Sequence, residues 1–288
     1  MKARTIRVGS RIFPVFLAKC RYRALQGHWP QLDNPKTFDE KLLWLMLYWR
    51  HPIKSYCGDK YTMRSYVSAN NLEHVLPDLH GVYQHSSQID FESLPSQFVL
   101  KCTHGCKFNI VCDEKRLLDI EQTRRTLDKW MKIDYSTIAG ELHYSTMEPR
   151  IICERYLGDI NGKVPNDYKI YCFDGRAYCT MVCSQRNFDG QARYDFYNRA
   201  WNEKLSFSRS NPNADRVMAR PDTYEEMIEV AEQLSQPFPF VRMDFYCVNG
   251  KTIISEMTFT PKGCIGTNFT DRAQQELGQM IELPNKLL

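Results

Sequence analysis

The chain of 288 residues contains no GxGxxG, no GxxxxGK[ST] and no GxSxG. The compact signatures of a dinucleotide fold, a P-loop and an α/β-hydrolase nucleophile are therefore absent. CxxC spacing is missing as well, although there are eleven cysteines. Neither Cys102, Cys106 and Cys112 nor the pair Cys179 and Cys183 is spaced like a zinc site. An odd count without a secretory signal points to reduced thiols in a cytoplasmic protein. Long apolar runs are lacking: the longest near the start, Ile12 to Ala18, is broken by Pro14 and too short to span a bilayer. A net charge of +4 is too small to argue for nucleic acid. There is no internal repeat, no low-complexity segment and no Ser/His/Asp or Cys/His arrangement; His104 and His143 are isolated histidines. Acid is absent from residues 1–30, which carry Lys2, Arg4, Arg7, Arg11, Lys19, Arg21 and Arg23. Such an arm suits either an anionic membrane surface or a packed first helix with a solvated face.

An apolar content of 43% and an aromatic content of 12% are those of a chain that folds around a large core. Thr37 and Glu40 form a capping box, followed by Phe38, Leu42, Leu45, Met46 and Trp49 at helical spacing. Gly58-Asp59-Lys60 opens a second helix, with Asp59 as its cap and Lys60 in its first turn. Phe98 to Thr103 reads as a strand with Lys101 inside it, running into the short loop His104 to Asn109 and a further strand from Ile110 to Cys112. A lysine on the strand and another in a small polar loop can cover a phosphate. Arg150 to Leu157 is an apolar strand carrying Glu154 and ending at Gly158. Tyr168 to Phe173 and Arg176 to Cys183 flank Asp174-Gly175 as a hairpin, with Lys169 on a strand face and Arg186 just beyond the second strand. Residues 198–220 read as a loop, and Thr223 with Glu226 as another capping box.

The most informative stretch is Val241 to Cys264. Two strands flank Asn249-Gly250, a strong hairpin signal. Side chains alternate along a strand, so Arg242 and Asp244 share one face, and Ile254, Glu256 and Thr258 share one face. A two-residue turn would then place Glu256 opposite Met243, away from Asp244. A turn with an odd number of residues, ending in a left-handed Gly250, would put Arg242 opposite Glu256 with Asp244 on the same face. If the two carboxylates act together, the sequence predicts the odd turn. Two acids and an arginine among apolar residues are costly to bury unless something pairs them. A divalent cation with a polyphosphate would do so, as would a structural ion pair.

In this order, GDK, VLK before a small polar loop, ICERYL, RMD and SEMT are similar to the ATP-grasp superfamily. The phrases NPKTFDEK, FVLKCTHG, DYKIYCFDG and FPFVRMDFY resemble its teichuronopeptide-biosynthesis (TupA-like) branch. The resemblance implies an α+β ATP-grasp fold in which two α+β subdomains clamp a nucleotide behind a helical N-terminal segment. The implied division is 1–58, 59–157 with the nucleotide lid, and 158–288 with the metal strands. It implies ATP and Mg²⁺ as cofactors. Lys60, Lys101, His104, Gly105 and Asn109 would meet the phosphates, and Glu154, Tyr156 and Leu157 the adenine. Asp244, Glu256 and Thr258 would hold the metal, while Arg242, Lys169 and Arg186 would serve the transferred phosphoryl group. Two departures stand out: the loop reads HGCKFN where the branch is closer to HGSGxN, and Thr258 takes the place of an asparagine.

The chemistry implied is ATP-dependent carboxylate–amine ligation through an acyl phosphate, joining an amino acid or amine to a uronic acid of a cell-surface polysaccharide. Its partners would be a small-molecule or glycan carboxylate and an amine, with peripheral contact to membrane or glycan-assembly machinery and none to nucleic acid. The alternatives are a phosphotransferase on the same scaffold, a glycosyltransferase-pathway nucleotide-binding protein and a non-catalytic nucleotide-binding module.

Overall fold

The computed structural model describes residues 14–158, 165–184, 192–209 and 217–288. Four helices come first: α1 (Pro14–Gln26), α2 (Phe38–Tyr48), α3 (Pro52–Gly58) and α4 (Thr62–Ala69). A four-stranded antiparallel sheet follows, built from β1 (Leu79–Tyr83), β2 (Phe98–Cys102), β3 (Asn109–Cys112) and β4 (Ile151–Arg155) in the order β1-β4-β2-β3. Helices α5 (Ile120–Met131) and α6 (Ser136–Ala139) lie between β3 and β4 in the chain. The second sheet is larger and also antiparallel. Its strands are β5 (Asp167–Phe173), β6 (Arg176–Ser184), β7 (Arg193–Asn198), β8 (Lys204–Leu205), β9 (Val241–Val248) and β10 (Lys251–Thr258), in the order β10-β9-β5-β6-β7-β8. Helix α7 (Tyr224–Ser235) precedes β9, and α8 (Asp271–Gln279) closes the chain.

Two cores result. Phe98, Leu100, Ile151 and Cys153 from the small sheet pack with Leu127 of α5. The larger core joins the N-terminal helices to the second sheet, through Phe38, Leu42, Leu43, Leu47 and Val67 against Tyr171, Phe173, Phe240, Met243 and Phe245. Phe38 lies edge-on to Phe240 at 5.2 Å and to Phe269 at 5.7 Å, an arrangement aromatic rings favour. The Thr37–Glu40 capping box forms as its sequence predicts. Thr223 does not cap α7: its backbone (φ −92°, ψ 15°) is far from the extended conformation a capping hydroxyl needs, and its Oγ1 is buried without a hydrogen bond among the described residues. The loop expected over residues 198–220 contains the short strand β8. All eleven cysteines are free thiols, eight of them buried. No described helix is long and apolar enough to cross a membrane.

Asp39, on the first turn of α2, is buried and ties this helix to the segment after β10. Its Oδ2 accepts from the backbone N–H of Gly266 at 2.8 Å and from Gln26 Nε2 at 2.9 Å. Burial pushes its carboxyl from 3.8 up to about 6, even though these hydrogen bonds pull the other way. A carboxyl pKa raised by folding means that the native state holds the proton more tightly. Stability is then greatest below pH 4 and falls as pH rises toward 6, by up to about 3 kcal/mol. Asp39→Asn keeps an oxygen for both donors. It is expected to match the parent Tm near pH 4 and to exceed it at pH 8 by roughly 5–10 °C; equal Tm values at pH 8 would contradict this.

Candidate active site

The β9–β10 hairpin turns on Asn249-Gly250 as a two-residue loop, with Val248 paired to Lys251 and both loop residues left-handed (φ 52° and 70°). The odd-numbered turn is therefore not what forms, because Asn-Gly satisfies a tight primed turn directly. The parity is changed further along instead. Ile254 pairs with Phe245, yet Glu256 pairs with Asp244, so Ser255 is the extra residue of a β-bulge. Ile254 then drops into the core with Phe245, rather than sharing a face with Glu256, and both are fully buried. Thr258, not Glu256, lies opposite Arg242. The outcome that matters for chemistry is that Asp244 and Glu256 are directly opposite each other.

Strand β5 completes this face. Lys169 pairs with Asp244, Tyr171 with Arg242, and Asp167 with Tyr246. Arg242 grips Asp244 with two hydrogen bonds, Nε to Oδ1 at 2.6 Å and Nη2 to Oδ2 at 2.7 Å, and also donates to Thr258 Oγ1 at 3.2 Å. Lys169 forms ion pairs with Asp244 and with Asp167, the latter at 2.6 Å. Asp244 is only 1% exposed. Burial alone would raise its carboxyl pKa, but Arg242 and Lys169 outweigh burial and hold it below the ordinary aspartate value. The same contacts raise the pKa of Lys169 against its own burial.

The small sheet supplies the opposing side. Lys101 on β2 pairs with Glu154 on β4 at 2.7 Å, and Arg64 of α4 reaches the other oxygen of Glu154 at 3.2 Å. Burial pulls the Lys101 ammonium pKa down, yet the net shift is upward, because Glu154 faces it and Tyr246 and Glu256 lie within electrostatic reach. Glu154 thus fixes the head of Lys101. Lys60 joins the two sides: its Nζ donates to Gly105 O in the β2–β3 loop at 2.8 Å and lies 3.8 Å from Glu256 Oε1. Asp59 Oδ1 accepts from the N–H groups of Tyr61 and Thr62, which sets Lys60 at the mouth of α4. In the loop, Lys107 has φ 62°, the left-handed backbone that a glycine adopts freely. His104 is buried beside Phe108 and bonded through Nε2 to Trp130 O, and burial lowers its pKa. His143 is buried too, its pKa pushed down to about 3 by burial and by Lys54. Both histidines are neutral packing groups.

Lys60, Lys101, Lys169, Arg242, Asp244, Glu256 and Thr258 are therefore gathered where the two sheets face each other. Asn109 starts β3, paired with Lys101, while Tyr156 and Leu157 follow β4. Arg186 lies outside the described residues. Sequence reading missed Asp167, Arg64, Glu141 and Lys262. Asp167 had a usable signal, an acid two residues before Lys169 and so on the same strand face. Arg64 had only a weak one, a basic residue in the first turn of α4 shortly after Lys60. Glu141 accepts a hydrogen bond from Thr260, and burial raises its pKa to about 7; nothing in its local sequence marks it. Among the described residues no cluster of three or more His, Cys, Asp and Glu is arranged to hold a metal. The carboxylate pair would need phosphate oxygens and water to complete a Mg²⁺ shell, which is how that ion is usually held.

A family model described as TupA-like ATPgrasp matches residues 40–282. Among solved structures, D-alanine–D-alanine ligase from Bacillus anthracis complexed with ATP is similar at 13% identity, over 91% of this chain and 72% of that one, with a TM-score of 0.47. The ADP complex of purK, N5-carboxyaminoimidazole ribonucleotide synthetase, is similar at 10% identity and a TM-score of 0.46; the match covers 72% of this chain and 46% of that protein, so this chain spans about half its length. L-amino acid ligase from Bacillus licheniformis is similar at 12% identity, over 70% of this chain and 42% of that one, with a TM-score of 0.44. No curated protein matches the chain.

Proposed function

The chain belongs to the TupA-like ATP-grasp family, and from that premise we propose that it binds Mg-ATP between its two sheets and spends it on joining a carboxylate to an amine. The observation that supports this most is the juxtaposition of Asp244 and Glu256 by the Ser255 bulge, with Lys60 beside Glu256 and Lys101 within electrostatic reach of it. Isolated carboxylates of this kind repel an anion. Surrounded by Lys60, Lys101, Lys169 and Arg242, they suit a divalent cation carrying a polyphosphate. In this reading residues 59–157 and 158–288 are the two jaws, and within the segment 1–58 the helices from Pro14 on brace the second.

Asp244 and Glu256, with Thr258 beside them, would hold Mg²⁺, which supplies charge neutralisation and polarisation of the phosphoryl group when bound. Lys60 and Lys101 offset phosphate charge, with Glu154 keeping Lys101 extended. The loop from His104 through Gly105 to Asn109 covers the phosphates, and the backbone from Glu154 through Tyr156 to Leu157 borders the adenine. Arg242 would meet the transferred phosphoryl oxygens, and Lys169, with Arg242, keeps Asp244 ionised. Phosphoryl transfer to a carboxylate brings two anions together, so fixed cations in a closed site lower the main barrier. An amine then displaces phosphate from the acyl phosphate, and no side-chain nucleophile is needed. A cytoplasmic setting, a uronic acid of a surface polysaccharide as the acid and an amino acid as the amine complete the reading. The acid and the amine rest on the family resemblance, and the cytoplasmic setting on the free thiols.

The test is ADP release from Mg-ATP across a matrix of acids and amines. Sustained ADP and phosphate release is expected only when a competent acid and amine are both present. Turnover with the acid alone, yielding a stable phosphorylated product, would replace the ligase by a phosphotransferase.

A further inference from the structure

Beside Arg242 lies a cleft of about 90 Å³, which Lys262, Tyr194, Phe196, Ser208 and Asn268 also line. Apart from Arg242, none of these residues belongs to the nucleotide or metal set. Lys262 stands out for its backbone and for its charge. Its φ is 56°, a left-handed conformation that costs a lysine energy and that tends to persist where function requires it. Its ammonium lies 5.7 Å from the centre of the Tyr194 ring and forms no ion pair among the described residues. Burial lowers its pKa first, and the neighbouring cations Arg242, Lys107 and Lys169 lower it further. Arg242 and Lys169 share Asp244, and Lys169 also has Asp167; among the described residues Lys262 has no carboxylate partner. An anion between Lys262 and Arg242 would relieve that repulsion. Aromatic walls with a hydroxyl and an amide suit the body of a small organic acid better than a polyphosphate.

We propose that this cleft seats the acid substrate, with Lys262 and Arg242 holding its carboxylate against the transferred phosphoryl group. The acid is small and part apolar where it enters, either a free acid or the last unit of a longer chain. This rests on the ligase reading above.

The test uses Lys262→Gly and Lys262→Arg. Glycine adopts the left-handed backbone without strain, so Lys262→Gly removes the ammonium without a folding penalty at that residue. Mg-ATP affinity is measured by calorimetry. The KM and kcat of ADP release are measured with D-glucuronate, L-glutamate, D-lactate and an oligoglucuronate, each with an amine panel. For Lys262→Gly the KM of the accepted acid should rise about 10- to 100-fold, the loss of one charged hydrogen bond. Its Mg-ATP affinity should stay within about twofold of the parent, and Lys262→Arg should restore most of the lost acid affinity. Preference for the monomers or for the oligomer identifies which form of acid enters. An unchanged acid KM in Lys262→Gly overturns the proposal, as does a loss confined to Mg-ATP affinity, which would make Lys262 a phosphate contact. If the parent binds no Mg-ATP, the ligase reading fails first. Direct calorimetry of the same acids on parent and Lys262→Gly then decides the cleft: binding to the parent alone supports it, and binding to neither overturns it.

Discussion

Glu256→Gln is expected to slow acid- and amine-dependent ADP release by about 10²- to 10³-fold, the usual effect of removing one strong electrostatic contact from a reacting site. Its Tm should stay within a degree or two of the parent. The Glu256 side chain is 26% exposed, and its nearest cation, Lys60, is 3.8 Å away and held independently by Gly105 O. Removing the charge therefore strands nothing in the interior. The amide keeps the shape of the strand but is a poor partner for Mg²⁺. The Mg²⁺-dependent part of ATP affinity should fall together with the rate. A variant that binds Mg-ATP and turns over like the parent would remove Glu256 from the metal site.

Asp244→Asn should behave differently although it is the paired residue. The expected rate loss is similar, but this variant also destabilises the fold. Asp244 receives two hydrogen bonds from Arg242 and an ion pair from Lys169, and it is almost wholly buried. Replacing it leaves the guanidinium facing an amide, with only Asp167 left to balance the ammonium. Breaking one partner of a buried charged cluster typically costs about 3–5 kcal/mol, here a Tm drop of roughly 6–15 °C. The sign with pH follows from the depressed carboxyl pKa. The parent's advantage is fully present above pH 4 and fades as acid protonates Asp244 through its lower folded value. Differential scanning calorimetry between pH 2 and 8 reads this directly. The double variant Asp244→Asn/Arg242→Met should recover part of the lost stability, because it removes the cation that Asp244 paired, while Lys169 keeps Asp167. A Tm gap independent of pH would mean that the cluster contributes nothing through its charges.

The parts of the fold that local chemistry dictates could be read from the sequence. Thr37 with Glu40, the positions of the two hairpin turns though not the length of the second, and the alternation around Lys169 and Asp244 all follow from neighbours within a few residues. Their placement on helices and strands needed no knowledge of the rest of the chain. What the sequence does not show depends on distant packing. Thr223 has the right residue type for a cap, but its backbone is set by the segment that leads into α7. Glu154 is legible as a charged residue in an apolar strand. That it anchors Lys101 depends on β2 pairing with β4 and on α4 bringing Arg64 alongside. Lys262 carries no sequence mark, since a lysine beside a glycine is unremarkable until its backbone proves left-handed. The extra residue at Ser255 is silent for the same reason: a bulge depends on which side chains the core accepts, and Ile254 is accepted there with Phe245.

Ser255 has a consequence for indels and for comparing relatives. Counting outward from the Asn249-Gly250 turn assigns Glu256 to the wrong side of the sheet, so an alignment anchored on the turn would match the metal strand one residue out of step. Deleting Ser255 would restore regular pairing and leave Glu256, Met257 and Thr258 opposite Asp244, Met243 and Arg242, so every residue that follows keeps its face. Pairing Ser255 regularly, with no bulge, would instead set it opposite Asp244, turn Glu256 toward the apolar face beside Met243 and bring Met257 opposite Arg242. Among relatives a single gap at Ser255 should therefore be tolerated, because it keeps the metal strand in step with β9.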